Sequence, residues 1–440
     1  VLDLDPLLVT LGMFISMLVL LVMGAPLTWC LLIVGTGSAY LLWGTDGLHM
    51  LATSTFSSMD NFILVALPMF IFMGLMLQRS GITDDLFSMV HKLMGGIPGG
   101  LGIGTVFICA ILAAMAGVSG AATVSLGVIA LPSMLKRGYD KKLVSGTIMA
   151  GGALGFLIPP SVLMIVYAFL ARESIGKLFA AGLMPGLMLA GIYVLYISIR
   201  CGINPKLGPP VAEEERLGWR DKLASMKAMI LPAILIMLVL GCIVFGVTTP
   251  SEASAIGAAG SIALAIVYRT FNMSMLKDVL VSTTQIMGML LWIALAAVFF
   301  SKIYIGLGAG ALIGELIEDS NLSPYWIIIS MLACYFVLGM FLDDFAIVFI
   351  TIPLFVPIVR DLGFDTVWFA VLFILSMQTA YLTPPFGYNL FYMRSVAPPE
   401  ITIYDLYKAT IPFVILQIIG LALIVAFPQI ALWLPNVIFN

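Results

Sequence analysis

Gly151-Gly152-Ala153-Leu154-Gly155-Phe156-Leu157-Ile158-Pro159-Pro160-Ser161 lies inside a long apolar segment, and its ending has a second version at Ala380-Tyr381-Leu382-Thr383-Pro384-Pro385-Phe386. The two stretches, Ala121 to Ser161 and Ala346 to Phe386, align at a constant offset of 225. That offset sends Ala121 to Ala346, Pro132 to Pro357, Gly138 to Gly363, Asp140 to Asp365, and Pro159-Pro160 to Pro384-Pro385. Proline removes a backbone donor and clashes with the preceding turn, so each pair breaks a helix. In lipid, the freed backbone groups must find partners. Helices broken at membrane depth therefore line a cavity or an ion site, and one such break per half points to a transporter's binding site.

Working outward, composition fixes the class. The chain is 62% hydrophobic and 10% charged, with a mean hydropathy of +1.14, against roughly 25% charged in soluble domains. Its apolar runs are about 20 residues long, which suits membrane helices rather than barrel strands. A net charge of -3 says little about partners, and no basic cluster with interleaved aromatics suggests nucleic acid. Cys30, Cys109, Cys201, Cys242 and Cys334 form no CxxC pair and read as apolar packers. His49 and His91 stand far apart, against a haem or zinc site. Val1 to Asp5 are acidic, so no cleavable signal peptide is expected. Ser-His-Asp, HExxH and P-loop patterns are absent, and the chain is not expected to be an enzyme.

Spans are expected at 7–25, 27–43 and 62–78, with a polar connection over 43–60. Residues 82–94 read as an amphipathic helix at the interface. The apolar run 101–135 is interrupted at Gly117-Val118-Ser119-Gly120. It suits either one kinked span or a re-entrant hairpin of two half-depth helices of about 15 residues each. A broken helix over 143–170 and a span over 178–199 complete the first repeat, 1–200. A polar connection, 201–228, separates it from the second repeat, 229–440. There, spans are expected at 229–247, 251–268 and 283–303, and an interfacial helix with Glu315, Glu318 and Asp319 at 308–320. A hairpin at 325–358 is interrupted at Gly339 to Asp344, a broken helix covers 366–393, and a long span covers 402–435.

The loop after Pro132 carries Lys136, Arg137, Lys141 and Lys142, whereas its counterpart carries Arg360, Asp361 and Asp365. By the positive-inside rule only the first is cytoplasmic. Threading the spans gives an external N-terminus and leaves only Arg172, Lys177, Lys302 and Arg360 of the 20 cations outside the cytoplasmic face. The halves are thus expected to be inverted in the membrane.

Asp343 and Asp344 sit mid-run, where a charge costs several kcal/mol unless paired or solvated. They read either as cation ligands or as caps of a half-helix. Ser119, Gly120 and Thr123 form a small polar patch that serves either close packing or a sodium site. Ser161 and Thr383 flank the prolines and offer hydroxyl oxygens. Glu252 reads as a helix-start acid, Asn389 as a candidate substrate contact, and Arg394 as an interfacial anchor.

In Gly151 to Ser161, in Gly339-Met340-Phe341-Leu342-Asp343 and in Thr383-Pro384-Pro385-Phe386-Gly387, the chain resembles the DctM-type large membrane subunit of tripartite ATP-independent periplasmic (TRAP) transporters. The resemblance spans essentially the whole chain. It implies an all-α, multi-pass inner-membrane protein with an inverted-topology repeat, two re-entrant hairpins, two broken helices and an elevator motion. It implies Na+ symport of an organic acid such as a dicarboxylate or sugar acid. It also implies two partners, a small four-helix membrane subunit and a periplasmic substrate-binding protein. One sodium site is expected near Ser119, Gly120, Gly155 and Pro159, and another near Gly339, Asp343, Thr379 and Thr383. The organic anion is expected between them, near Ser161, Asp344, Gly387 and Asn389. Tyr381 and Phe386 stand beside the second break and are expected to tune the pocket. The alternative is a stand-alone sodium/dicarboxylate symporter of similar architecture.

Overall fold

The computed structural model describes residues 6–59, 62–94, 96–117, 119–210, 225–308 and 322–439. These are helical throughout, with no strand among them. In the first half the helices are α1 (Pro6–Val22), α2 (Leu27–Trp43), α3 (Thr45–Met59), α4 (Phe62–Arg79), α5 (Ile82–Met94), α6 (Gly100–Ala116), α7 (Ser119–Lys136), α8 (Lys141–Ala153), α9 (Val162–Ala171) and α10 (Ile175–Ile203). The second half has α11 (Lys227–Val244), α12 (Pro250–Val267), α13 (Met273–Gly306), α14 (Pro324–Gly339), α15 (Asp344–Asp361), α16 (Thr366–Ala380), α17 (Tyr388–Val396), α18 (Ile403–Ala426) and α19 (Gln429–Phe439). Among the described residues, 5 helices are each long and apolar enough to cross a membrane. The chain is a multi-pass membrane protein.

The 225 offset reappears in the backbone. Gly138 and Gly363 both turn the chain at positive φ, 81° and 77°. Asp140 then accepts the Lys142 and Leu143 amides, and Asp365 accepts those of Val367 and Trp368. A carboxylate there satisfies amides that have no partner within the helix. The helices so started, α8 and α16, are the centre of the molecule. Every residue from Leu143 to Ala153 and from Thr366 to Ala380 is buried. Helices apolar on all sides belong in such a place. Each runs into its break inside protein, where freed backbone groups find partners. The first break holds a 3-10 turn, Leu154–Phe156, and both Pro-Pro bonds are cis.

The interrupted runs fold back on themselves. In the first, Gly117 ends α6 at φ 66° with its N–H on the Ala113 carbonyl. The start of α6 then meets the end of α7. The Leu101 N–H donates to the Tyr139 hydroxyl at 3.3 Å, and the Thr105 hydroxyl lies 3.6 Å from the Met134 sulfur. Burial pushes the Tyr139 phenol up to about 12, so it stays neutral as an acceptor. In the second, the Tyr325 ring at the start of α14 packs edge-on against Phe364, just past α15, at 5.1 Å. Both runs are antiparallel helix pairs, not kinked single spans. Val118 of the expected first tip lies outside the described residues.

Several expectations need correction. Residues 43–60 were expected to connect, yet 45–59 form α3. Its Leu48, Met50, Leu51 and Ala52 are good helix formers amid the polar residues, and α3 packs beside α2 and α13. The expected last span divides into α18 and α19 at Phe427-Pro428, since proline cannot continue the ladder. The span at 283–303 is the middle of a 34-residue helix, α13. α5 forms over 82–94 as expected, and its apolar side (Leu86, Phe87, Val90) is buried, packed chiefly on α6. The interfacial helix expected at 308–320 falls, but for residue 308, outside the described residues, as does much of the 201–228 connection.

Candidate functional site

Two polar clusters form where the antiparallel pairs meet the breaks. The first is built on Ser119, which begins α7 and is 1% exposed. Its Oγ donates to Asn389 Oδ1 at 2.8 Å. Asn389 lies just beyond the other half's proline pair and is fully buried. Its Nδ2 donates to the Met149 carbonyl of α8 at 3.0 Å, and its backbone N–H to the Tyr381 carbonyl at 3.2 Å. One amide side chain therefore ties α7 and α8 to the second break. A donor and an acceptor on a planar amide suit this two-sided task.

Glycines let the tip close. A Cβ on Gly120 would stand 2.8 Å from the Tyr392 ring of α17. One on Gly152 would collide with the Thr123 hydroxyl. The Val162 N–H donates to the Gly117 carbonyl at 3.1 Å, so the first tip also touches its own half's break.

The second cluster is built on Asp343 and Asp344. Asp343 caps α15, accepting the Phe345 N–H at 3.2 Å, and is half-buried. Asp344 is 4% exposed. The Tyr381 hydroxyl donates to Asp344 Oδ1 at 2.7 Å and stands 3.3 Å from Asp343 Oδ1. It also accepts the Asp344 N–H at 3.3 Å. The Tyr381 ring stacks on Tyr388 at 4.9 Å and meets Phe156 of the first break edge-on, also at 4.9 Å. Gly339 packs without a Cβ against Ala380 and Met377. Of the two readings of the aspartates, the capping one holds for Asp343, while Asp344 holds the tyrosine. Neither carboxylate has a cation in hydrogen-bond reach among the described residues.

The remaining expected residues fall as follows. Gly155 lies within the buried 3-10 turn, and Pro159 is buried behind it. Ser161, fully buried, caps α9 by accepting the Met164 N–H at 3.4 Å. Gly387 starts α17 at φ 48°. The Thr383 hydroxyl donates to the Thr379 carbonyl at 2.8 Å, and the Thr379 hydroxyl to the Leu375 carbonyl at 2.7 Å. Thr379 lines an apolar groove between α14, α16 and α18, and no described hydrogen bond joins it to Asp343. Phe386 is exposed and packs near Phe341 and Phe391. Arg394 is bonded to the Ile401 carbonyl at 2.6 Å. Glu252 completes a capping box with Thr249, the ordinary role its position suggests.

Tyr392, the Met149 carbonyl and the central place of Tyr381 escaped the sequence reading. A signal for Tyr381 existed, since the 225 offset pairs it with Phe156. Among the described residues, no group of three or more His, Cys, Asp or Glu could hold a metal. The clusters offer hydroxyl, amide and carbonyl oxygens with two carboxylates, a hard donor set that suits Na+ better than a transition metal.

Comparison with known proteins gives concordant findings. The family model described as the tripartite ATP-independent periplasmic transporter, DctM component, matches residues 14–430. A C4-dicarboxylate TRAP transporter large permease protein of Pseudomonas aeruginosa is 31% identical, covering 90% of this chain and 91% of its own. An ectoine TRAP transporter large permease protein of Halomonas elongata is 28% identical, covering 97% and 99%. The fold is similar to that of the Alcanivorax borkumensis YdaH transporter, with TM-score 0.67 at 15% identity over 97% of this chain and 98% of that one.

Proposed function

This chain belongs to the DctM component family of tripartite ATP-independent periplasmic transporters, and from that premise we propose that it is the large subunit of a sodium-coupled organic-acid uptake system in a bacterial inner membrane. It works with a small four-helix membrane subunit and a periplasmic substrate-binding protein that delivers the substrate. The observation that carries the reading is the convergence of both hairpin tips on the second helix break, through Ser119–Asn389 and Asp344–Tyr381, with the first break joined to them through Val162–Gly117 and Phe156–Tyr381.

Sodium ions bind at the tips. One uses Ser119 with backbone oxygens around Gly120, Gly155 and Pro159. The other uses Asp343 with oxygens around Gly339, Thr379 and Thr383. The organic anion binds between them, near Ser161, Asp344, Gly387 and Asn389, where Na+ offsets the charge of its carboxylate. Sodium binding closes the tips on the breaks, which stay ordered only when their polar atoms are satisfied. The two hairpins enter the membrane from opposite faces, in an inverted repeat. With the two broken helices they form a body that slides against a scaffold.

Uptake in proteoliposomes tests this. The chain and its small partner are reconstituted, and a labelled organic acid is supplied under an inward sodium gradient, with and without the binding protein. Uptake that needs both sodium and binding protein is the expected result. Sodium-driven uptake without the binding protein would instead establish a stand-alone symporter.

A further inference from the structure

Outside the two clusters, the ends of α8, α10 and α18 enclose a cavity of about 550 Å³. Lys142, Arg200 and Lys408 line it, with Asp140 the one acid. Asp140 is already engaged, since its carboxylate accepts two backbone amides. The neighbouring Lys141 is neutralised by Asp405 at 2.7 Å, but no described hydrogen bond or ion pair engages the Lys142 or Lys408 head groups, and the Arg200 guanidinium meets only the neutral Tyr196 hydroxyl. Three like charges held around one cavity repel unless an anion joins them.

Part of the lining is aromatic. Tyr196 lines the cavity beside Phe413, edge-on at 5.4 Å. Apolar side chains continue along the same helices, with Leu195, Ile199, Ile411 and Ile415 each at least half exposed. The cavity therefore sits at the join between a charged surface and a lipid-facing one. Cations in such a place recognise a phosphate group, with an acyl chain free to follow the apolar side.

We propose that this cavity is an anion site that binds a phosphate monoanion or dianion, the chemistry of an acidic phospholipid headgroup. The orientation expected from the cation distribution would put this cavity at the cytoplasmic leaflet, and only that placement rests on the orientation. Binding itself does not depend on transport, so the two readings fail separately.

The purified full chain in a neutral detergent gives the test. Its thermal unfolding is titrated with short-chain phosphatidylglycerol, short-chain phosphatidylcholine and inorganic phosphate. Saturable stabilisation by phosphatidylglycerol is expected, with half-saturation weakened about tenfold or more in Lys142→Gln/Arg200→Gln/Lys408→Gln. Lys206→Gln, an exposed cation outside the cavity, should leave it unchanged. Stabilisation by phosphatidylglycerol alone identifies the lipid as the source, and matching stabilisation by inorganic phosphate identifies the free ion. Equal response to phosphatidylcholine, no saturable response, or an unchanged triple variant overturns the proposal. Ligand-free melting of each variant, read alongside, shows that the fold is retained. If the triple variant fails that check, Arg200→Gln alone carries the same comparison.

Discussion

Tyr381 has one hydroxyl proton and two carboxylates within reach, and it gives the proton to Asp344. Tyr381→Phe leaves that buried carboxyl group one hydrogen-bond partner short, at a cost of about 1–3 kcal/mol. A lower thermal midpoint in detergent, with the variant still folded, is the expected outcome. On the proposed sodium sites, Asp343→Ala and Ser119→Ala should each raise the sodium concentration for half-maximal uptake about tenfold, the effect of roughly 1.4 kcal/mol. Unchanged sodium dependence in both removes these residues from the ion sites. The residue types were legible in the sequence because charged and hydroxyl groups are conspicuous in an apolar chain. Their partners were not. Nothing local to Ser119 names Asn389, 270 positions away, and a backbone acceptor such as the Met149 carbonyl leaves no mark on residue identity at all.

Among elements, the antiparallel pairs and the breaks were the most legible, since glycine and proline act through local backbone geometry. Packing decided what was not. α5 shows a clear amphipathic pattern, but the pattern alone does not say whether its apolar side meets lipid or α6. α3 formed against polar composition because α2 and α13 lie beside it. The contact of the first tip with α17 is testable at this scale. Gly120→Ala places a methyl against the Tyr392 ring and should cost about 1–3 kcal/mol by overpacking. Adding Tyr392→Ala should return much of that loss. If the thermal midpoints of the two variants are simply additive, the contact does not constrain the tip.

For the whole molecule, the cation distribution fixes an expectation that can be read directly. In a background without the five native cysteines, single cysteines at Lys136 and Ile97 bracket the first hairpin, and those at Leu322 and Gly363 bracket the second. An impermeant thiol reagent should label the first pair from the cytoplasmic face and the second pair from the other. Labelling of all four from one face ends the inverted-repeat reading. Two histidines and scattered cysteines gave the sequence no other long-range marker, which is why the repeat offset had to serve.

Phe156 and Tyr381 are partners under that offset, and they touch at 4.9 Å. Two groups exchanged by a two-fold rotation and in contact must straddle its axis. On the inverted-repeat reading the molecule's pseudo-symmetry axis therefore passes between these rings. The backbone there still repeats, with a Pro-Pro pair three residues beyond each ring, but the chemistry differs by one oxygen. That oxygen is the one held by Asp344. On the same reading, the axis passes through a point where the halves are no longer equivalent. Tyr381 would then give an inverted carrier a fixed difference between its inward and outward sides.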